Sequence, residues 1–577
     1  MVRNLQYYSP KKAPGRPLLV PRLPKGPILE VDFAKLSGRL FWSALGAGCL
    51  GGAARRAILE GRPKRPDFWR SPGLKSRFDG PKSRRLQAAD SYDQRGPEVL
   101  TMMTREPRRG PKPCFGLPSE NELDEIHLAT LEILERVGLQ IQSSEARALF
   151  EEAGASLKSD VVKVPPWLVK ESLSSAPPAV YLPGRAGHRD LMLGPGRPSF
   201  SCVLEAQDLL NLDTGAAEPP DSEALALATK AMDSLEVISI ALRPAVTGGE
   251  GLRSVADYET MVNATAKHVV LSPENGKSLE IILDMAKAAA GHRRAEGPGL
   301  AVSFVSKAES PLMLPESACE VILEGARRGA AVCVMSRLVS GASASPNPGA
   351  AMAIHNAEIL GGIILAQLAK KGAKVIYGSS PSVMRPKEAK ASAGSPEPAS
   401  MGAAAASLAR RYQIPSLIAG ARGDSKLPDA QAGHEKTLTA IMPALAGARV
   451  IHGLGGLEGG AALSLEQLLM DADFAAMILL ALEGLSLSGR CLSLDLADHE
   501  AHRHLSPKHQ IGPGRGGESS CKLIDRRARA SWLNDGGGLD IYQRARACLK
   551  EIAAHRRGEP LAEGAKEAVR KIARDGL

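Results

Sequence analysis

VISIA (237–241), HVVLS (268–272), AVSFVS (301–306), AVCVMS (331–336), KVIYGS (374–379), SLIAG (416–420), RVIHG (449–453) and CLSLDL (491–496) recur every 30 to 43 residues, each followed by a Gly/Ser/Pro-rich turn and a helical stretch. Strands buried on both faces read as short continuous apolar runs, and their alternation with helices implies parallel pairing. Eight such units predict an α/β chain closed into a (β/α)8 TIM barrel. Barrel chemistry sits where the strands end, so the loops after these runs hold the functional candidates.

The intervening stretches are Ala- and Leu-rich and helical, over 254–266, 276–290, 315–328, 348–369, 398–411, 434–446 and 464–485. Aromatic residues make up 4% of the chain, so the core is aliphatic and an aromatic at a strand end stands out. Tyr377 is the best example. Upstream, Ser119 and Glu122 have capping-box spacing, and Leu123, Ile126, Thr130, Ile133, Leu134 and Val137 follow at helical intervals until Gly138 stops the run. The folded body therefore opens near residue 119, with 119–230 expected as a helical and small-sheet cap and 231–577 as the barrel with C-terminal helices.

Residues 1–118 read as a basic extension of low order. Residues 1–101 hold 20 Lys+Arg against 8 Asp+Glu; with +10 overall, the other 476 residues carry a net −2. A body near neutrality has no phosphate-neutralising face, so nucleic acid is not an expected partner. The leader's apolar patch, LFWSALGAGCLGGAA from Leu40, is too short to span a bilayer and too far along for a signal peptide, so no membrane is expected. The leader is either a disordered basic tail or an upstream extension of a chain starting at Met102 or Met103. Eight cysteines without a CxxC pair suggest reduced thiols in a cytoplasmic protein.

Three loops are expected to meet at one mouth: 377–397, 419–436 and 452–460. The second places Arg422, Asp424, Ser425, Lys426, Asp429 and Gln431 within ten residues. The third, HGLGGLEGG, suits close approach by a large flat ligand or by another backbone. His434, after the second loop, is a candidate for substrate contact, whereas His355 reads as packed on a barrel helix. His499, His502 and His504 lack further ligands of metal-site spacing and read as exposed, so no metal site is expected. GPGRGG (512–517) lacks the Lys-Ser/Thr of a phosphate loop.

SPNPGAAMAIHNAEILGGIILAQLAKKGAKVIYGS (345–379), GSPE (394–397), DSKLPDAQAGHEK (424–436), SLEQLLMDADF (464–474), LDEIHLATLEILERVG (123–138), LNLDTG (210–215) and KHVVLSPENG (267–276) resemble the trimethylamine methyltransferase family over about residues 119–570. The resemblance implies a (β/α)8 barrel, a homo-oligomer, and methyl transfer from a methylated amine to the cobalt of a corrinoid carried by a separate small protein. It places Arg422, Asp424 and Lys426 as catalytic candidates and Tyr377, Arg385, Glu397, Asp429 and His434 on the substrate side. Tyr377 would offer a cation-π face, and Asp424 or Glu397 a counter-charge. Gly453, Gly455 and Gly456 would meet the corrinoid, which this chain itself would not bind tightly.

Two departures bear on the substrate. The pyrrolysine of the amine-demethylating branch would fall at Arg422, to within one residue, so the chain is more similar to members without it, which act on quaternary amines such as glycine betaine. Arg385 stands where an Asp is usual, which favours a substrate bearing a carboxylate. Two other classes fit the residues: a barrel aldolase using a strand-end lysine, Lys374 or Lys426, and a non-catalytic relative that binds without turnover.

Overall fold

The computed structural model describes residues 117–576 apart from 212, 249–250, 292–298, 485–522, 556–558 and 560. Eight parallel strands form its central sheet: β1 (Ser199–Cys202), β2 (Ile240–Leu242), β3 (His268–Leu271), β4 (Val302–Ala308), β5 (Val332–Ser336), β6 (Val375–Ser379), β7 (Ser416–Ala419) and β8 (Val450–Leu454). β1 pairs with β8, Ser199 opposite Val450, and a parallel bridge from Phe200 to Ile238 joins it to the approach of β2, so the sheet closes into a barrel. Helices follow every stave: Ser222–Ser234, Arg253–Ala264, Gly276–Ala290, Glu316–Arg327, Pro348–Ala369, Pro396–Arg411, Ala430–Leu445 and Leu465–Glu483.

Seven of the quoted runs contribute to β2 through β8. The eighth, CLSLDL, lies outside the described residues, and its place in the cylinder is taken by β1, which precedes all the others. SFSC is a poor apolar run, yet Phe200, Ser201 and Cys202 are fully buried. Ser201 Oγ donates to the Ile240 carbonyl at 2.8 Å and Cys202 Sγ to that of Leu242 at 3.3 Å, so polar side chains are satisfied inside the wall. The stretch that reads as a cap therefore supplies a stave.

The rest of that stretch holds helices and short strands. Helix Glu120–Glu132 has both arms of its Ser119/Glu122 capping box. Leu139–Ile141 pairs antiparallel with Val161–Lys163 and parallel with Met313–Leu314. Helix Pro348–Ala369 is long and apolar enough to cross a membrane, the one such helix among the described residues, but it is a core helix packed on the barrel. A Cβ on its Gly362 would lie 2.6 Å from Val334 of β5, so the close contact requires glycine. At the far end, helix Ile541–His555 packs Ala545 and Ile552 against Leu469 and Met470. Cys202, Cys319 and Cys333 are buried free thiols. The leader, His499, His502, His504 and GPGRGG lie outside the described residues.

Candidate active site at the barrel mouth

The C-terminal ends of the staves surround a cavity of about 400 Å³ lined by residues following β1, β5, β6, β7 and β8, and by Lys307 within β4. An adjoining lobe of about 710 Å³ on the β3 and β4 side shares Lys307, Arg337 and Val339 with it. These volumes suit a small molecule.

Glu205 stands three residues beyond β1 with φ of +59°, a conformation that non-glycine residues seldom adopt. Its Oε1 accepts from Arg243 Nη2 at 2.6 Å and from the Ser272 amide at 3.0 Å, and its Oε2 from Lys307 Nζ. Burial by itself would raise the carboxyl pKa, but Arg243 and Lys307 outweigh it and bring the value down to about 2. Arg243 also reaches Asp257 at 3.4 Å, whose Oδ1 accepts from Thr247 at 2.5 Å. One carboxylate thus joins the ends of β1, β2, β3 and β4.

Arg422 does the equivalent work across the mouth with neutral partners. Its Nη1 donates to Ser380 Oγ at 3.1 Å and to the Pro381 carbonyl at 3.4 Å, and its Nη2 to the Gly459 carbonyl. Burial and the neighbouring Arg337 lower its pKa to about 10, against a raising effect from Asp424. Beneath it the pairing of β8 with β1 shifts register between His452 and Leu454, leaving Gly453 as a bulge. Gly453 has φ of +139°, and a Cβ there would stand 2.0 Å from the Gly420 carbonyl oxygen, so no other residue fits. His452 projects into the cavity, is 4% exposed, and neither ring nitrogen has a hydrogen-bond partner. Burial, then Arg422 and Arg337, lower its pKa to about 3, so the ring is neutral.

The loops after β7 and β8 are pinned from below by Lys436, whose Nζ donates to the Ala421 carbonyl at 2.7 Å, the Gly453 carbonyl at 3.2 Å and Asp471 Oδ2 at 2.9 Å. Asp471 in turn accepts from the Gly455 amide at 2.7 Å and Gln467 Nε2 at 2.6 Å. Burial pushes the Lys436 pKa down and that of Asp471 up, and each opposes the shift in the other.

Of the residues singled out in sequence, Arg422 and Gly453 line the cavity. Asp424 sits just behind it as a latch: Oδ1 accepts from the Ala393 amide at 2.9 Å and Oδ2 from Ser392 Oγ. Lys426 is exposed and donates to the Asp424 carbonyl at 2.6 Å. Asp429 caps helix Ala430–Leu445, accepting from the Ala432 amide at 2.9 Å and Ser425 Oγ at 2.8 Å. His434 is on the exposed side of that helix. Arg385 and Glu397 face each other at 3.6 Å on the surface, so this arginine meets the chain's own carboxylate. Gly455 and Gly456 are packing positions against Leu468 and Val203.

Tyr377 is placed differently from a substrate-facing aromatic. It is fully buried between β6 and the helix layer, and its hydroxyl donates to Asn356 Oδ1 at 2.9 Å. Lys374 precedes β6 at the opposite end of the barrel, beside His268. Of the two lysines lining the mouth, Lys307 is ion-paired with Glu205 and Lys390 with Glu458, so neither is a free amine nucleophile. Glu205, Arg243, Lys307, Arg337 and His452 escaped the sequence reading. For Lys307 the signal was present, as the polar residue ending AVSFVSK; for Glu205 it was hidden with β1.

The family model described as trimethylamine methyltransferase (MTTB) matches residues 83–575. A trimethylamine methyltransferase of Desulfitobacterium hafniense (strain DSM 10664 / DCB-2) is 38% identical over 79% of this chain and 94% of its own length. A glycine betaine methyltransferase of Desulfitobacterium hafniense (strain Y51) is 27% identical over 77% of this chain and 93% of its own. The solved Methanosarcina barkeri monomethylamine methyltransferase covers 79% of this chain and 94% of its own at 11% identity, with a TM-score of 0.42.

Proposed function

Because the chain belongs to the trimethylamine methyltransferase family, we propose that it is a methyltransferase that takes a methyl group from a small methylated amine, quaternary in kind, and passes it to the cobalt of a corrinoid borne by a separate small protein. The observation that carries this reading is the small cavity at the C-terminal ends of the staves, rimmed on one side by backbone. Gly453, Gly459, Gly460 and Ala461 border it without long side chains, which fits flat approach by a ring too large to enter. The corrinoid supplies the cobalt nucleophile that an unreactive N-methyl group requires.

This chain's own residues hold and orient the substrate. Glu205 with Arg243 and Lys307, and Arg422 with Ser380 and Gly459, fix the two sides of the mouth through part-buried hydrogen bonds. Holding the reacting atoms in line within such a cavity removes much of the entropic cost of the encounter. A homo-oligomer is part of the same proposal, to be checked by light scattering. The function is tested by mixing the chain with cob(I)alamin and a panel of methylamines and betaines. Absorbance of methylated cobalt is expected with at least one donor, and no change with any would overturn the proposal.

A further inference from the structure

Away from the mouth, a cavity of about 590 Å³ opens on the outside of the barrel. Its walls come from helix Glu120–Glu132, helix Pro166–Ser175 and the turn after helix Pro396–Arg411, which leads into β7 at the end of that stave remote from the mouth. Three rings line it, those of His127, Trp167 and Tyr412. The first and last have centroids 5.5 Å apart and are tilted by 56°. Trp167 is 54% exposed, yet its ring is braced, since a Cβ on Gly154 would lie 3.2 Å from Trp167 Cζ2. A large aromatic side chain fixed in place but left half open to water marks a surface that a ligand can cover.

The hydrogen bonds beneath these rings run in one direction. Thr130 Oγ1 donates to the Ile126 carbonyl at 2.7 Å, so it accepts from Asn356 Nδ2 at 3.0 Å, and this fixes which end of the amide is nitrogen. Tyr377 then donates to Asn356 Oδ1 at 2.9 Å, and Asn356 Nδ2 donates to the Tyr412 hydroxyl at 2.8 Å. That hydroxyl has one proton to give, and it goes to His127 Nδ1 at 2.9 Å. Burial, followed by the neighbouring Arg411, holds the His127 pKa below its usual value, so the ring is neutral. A neutral imidazole that accepts at Nδ1 carries its proton on Nε2. This N–H has no protein partner among the described residues.

Charge agrees with this polarity. Among the described residues no Asp or Glu lines the cavity, whereas Lys170 and Arg411 do. Arg411 is engaged by Glu120 and Asp124. Lys170 meets no carboxylate among the described residues, its neighbour Glu171 being paired with Lys371 at 3.9 Å. The rest of the wall is largely apolar, with Leu131, Val169 and Leu173. The structure assigns this cavity as a binding site for a small aromatic carboxylate, its ring lying against Trp167 and its anionic group meeting the Lys170 ammonium and the Nε2–H of His127. The volume suits one such molecule, and a bond between an ammonium and a carboxylate is of the strong, charge-assisted kind. The site is independent of the methyl-transfer reading, since none of its residues borders the mouth.

Calorimetric titration of the full chain uses indole-3-acetate and 2-naphthoate, each beside its neutral amide, with tryptamine as a cation of similar shape. At least one acid is expected to bind with a Kd below about 1 mM and about tenfold more tightly than its amide, with tryptamine weaker than both. Lys170 and Trp167 are exposed, so replacing either leaves the core untouched. Lys170→Gln is expected to lose the preference for the acid while keeping the affinity for the amide, and Lys170→Arg to regain part of it. Trp167→Ala is expected to weaken acid and amide alike. No binding of either acid, an amide that binds as tightly as its acid, or unchanged acid affinity in Lys170→Gln and Trp167→Ala would overturn the assignment. Loss of acid binding in Arg337→Gln would place the ligand at the mouth and overturn it equally.

Discussion

Lys436 Nζ lies 2.9 Å from Asp471 Oδ2, and the two side chains, 2% and 1% exposed, form an ion pair sealed beneath the loops after β7 and β8. Removing one partner strands the other charge, which typically costs about 3–5 kcal/mol. Lys436→Met should therefore lower stability by about that much in urea unfolding, and the double change with Asp471→Asn should recover a large part. Equal losses in the single and double variants would show that the pair is not coupled.

Glu205→Gln should weaken the fold by releasing Lys307 and half of Arg243. Because the folded-state pKa is depressed from 4.5 to about 2, the contribution of Glu205 is fully present above pH 4.5 and fades as pH falls toward 2. The stability difference between wild type and variant, followed by unfolding at a series of pH values, should be constant near neutrality and close across that acid range. A difference that widens on acidification would contradict the assignment.

Three buried imidazoles predict a separate acid response. His268 is held at about 4 and His355 and His452 at about 3, burial being the leading cause in each. Folded pKa values below the ordinary 6.5 mean that the unfolded chain takes up these protons first, so stability declines as pH drops through 6.5. Near pH 5 the three together give a slope of roughly 4 kcal/mol per pH unit. Unfolding midpoints that stay flat between pH 6.5 and 4.5 would rule this out.

Tyr377→Phe removes a hydroxyl that serves Asn356 and leaves the Asn356 oxygen short of one donor. A loss of about 1–3 kcal/mol is expected, with substrate affinity unchanged. A rise in KM with stability intact would instead place the ring at the substrate.

Sequence periodicity disclosed the barrel because seven staves are mainly apolar short runs, nearly all of their residues buried. It missed β1 because Ser199, Ser201 and Cys202 look like a turn until their bonds to the β2 backbone are seen. That omission also hid Glu205. Loop density was a partial guide: Arg422 does reach the cavity, yet Asp429 spends its carboxylate on a helix terminus and Asp424 on a neighbouring loop. Tyr377 shows a different limit, since strand position alone does not say whether a side chain faces the mouth, the interior or the surrounding helices.

Ser199 opposite Val450 sets an order of events during synthesis. A ribosome must deliver some 250 further residues before the first stave finds its last neighbour. Until then both lips of the unfinished sheet offer unpaired amides and carbonyls to other nascent chains. Fragments ending short of residue 450 should accordingly clump when expressed, while the full-length product seals its own seam.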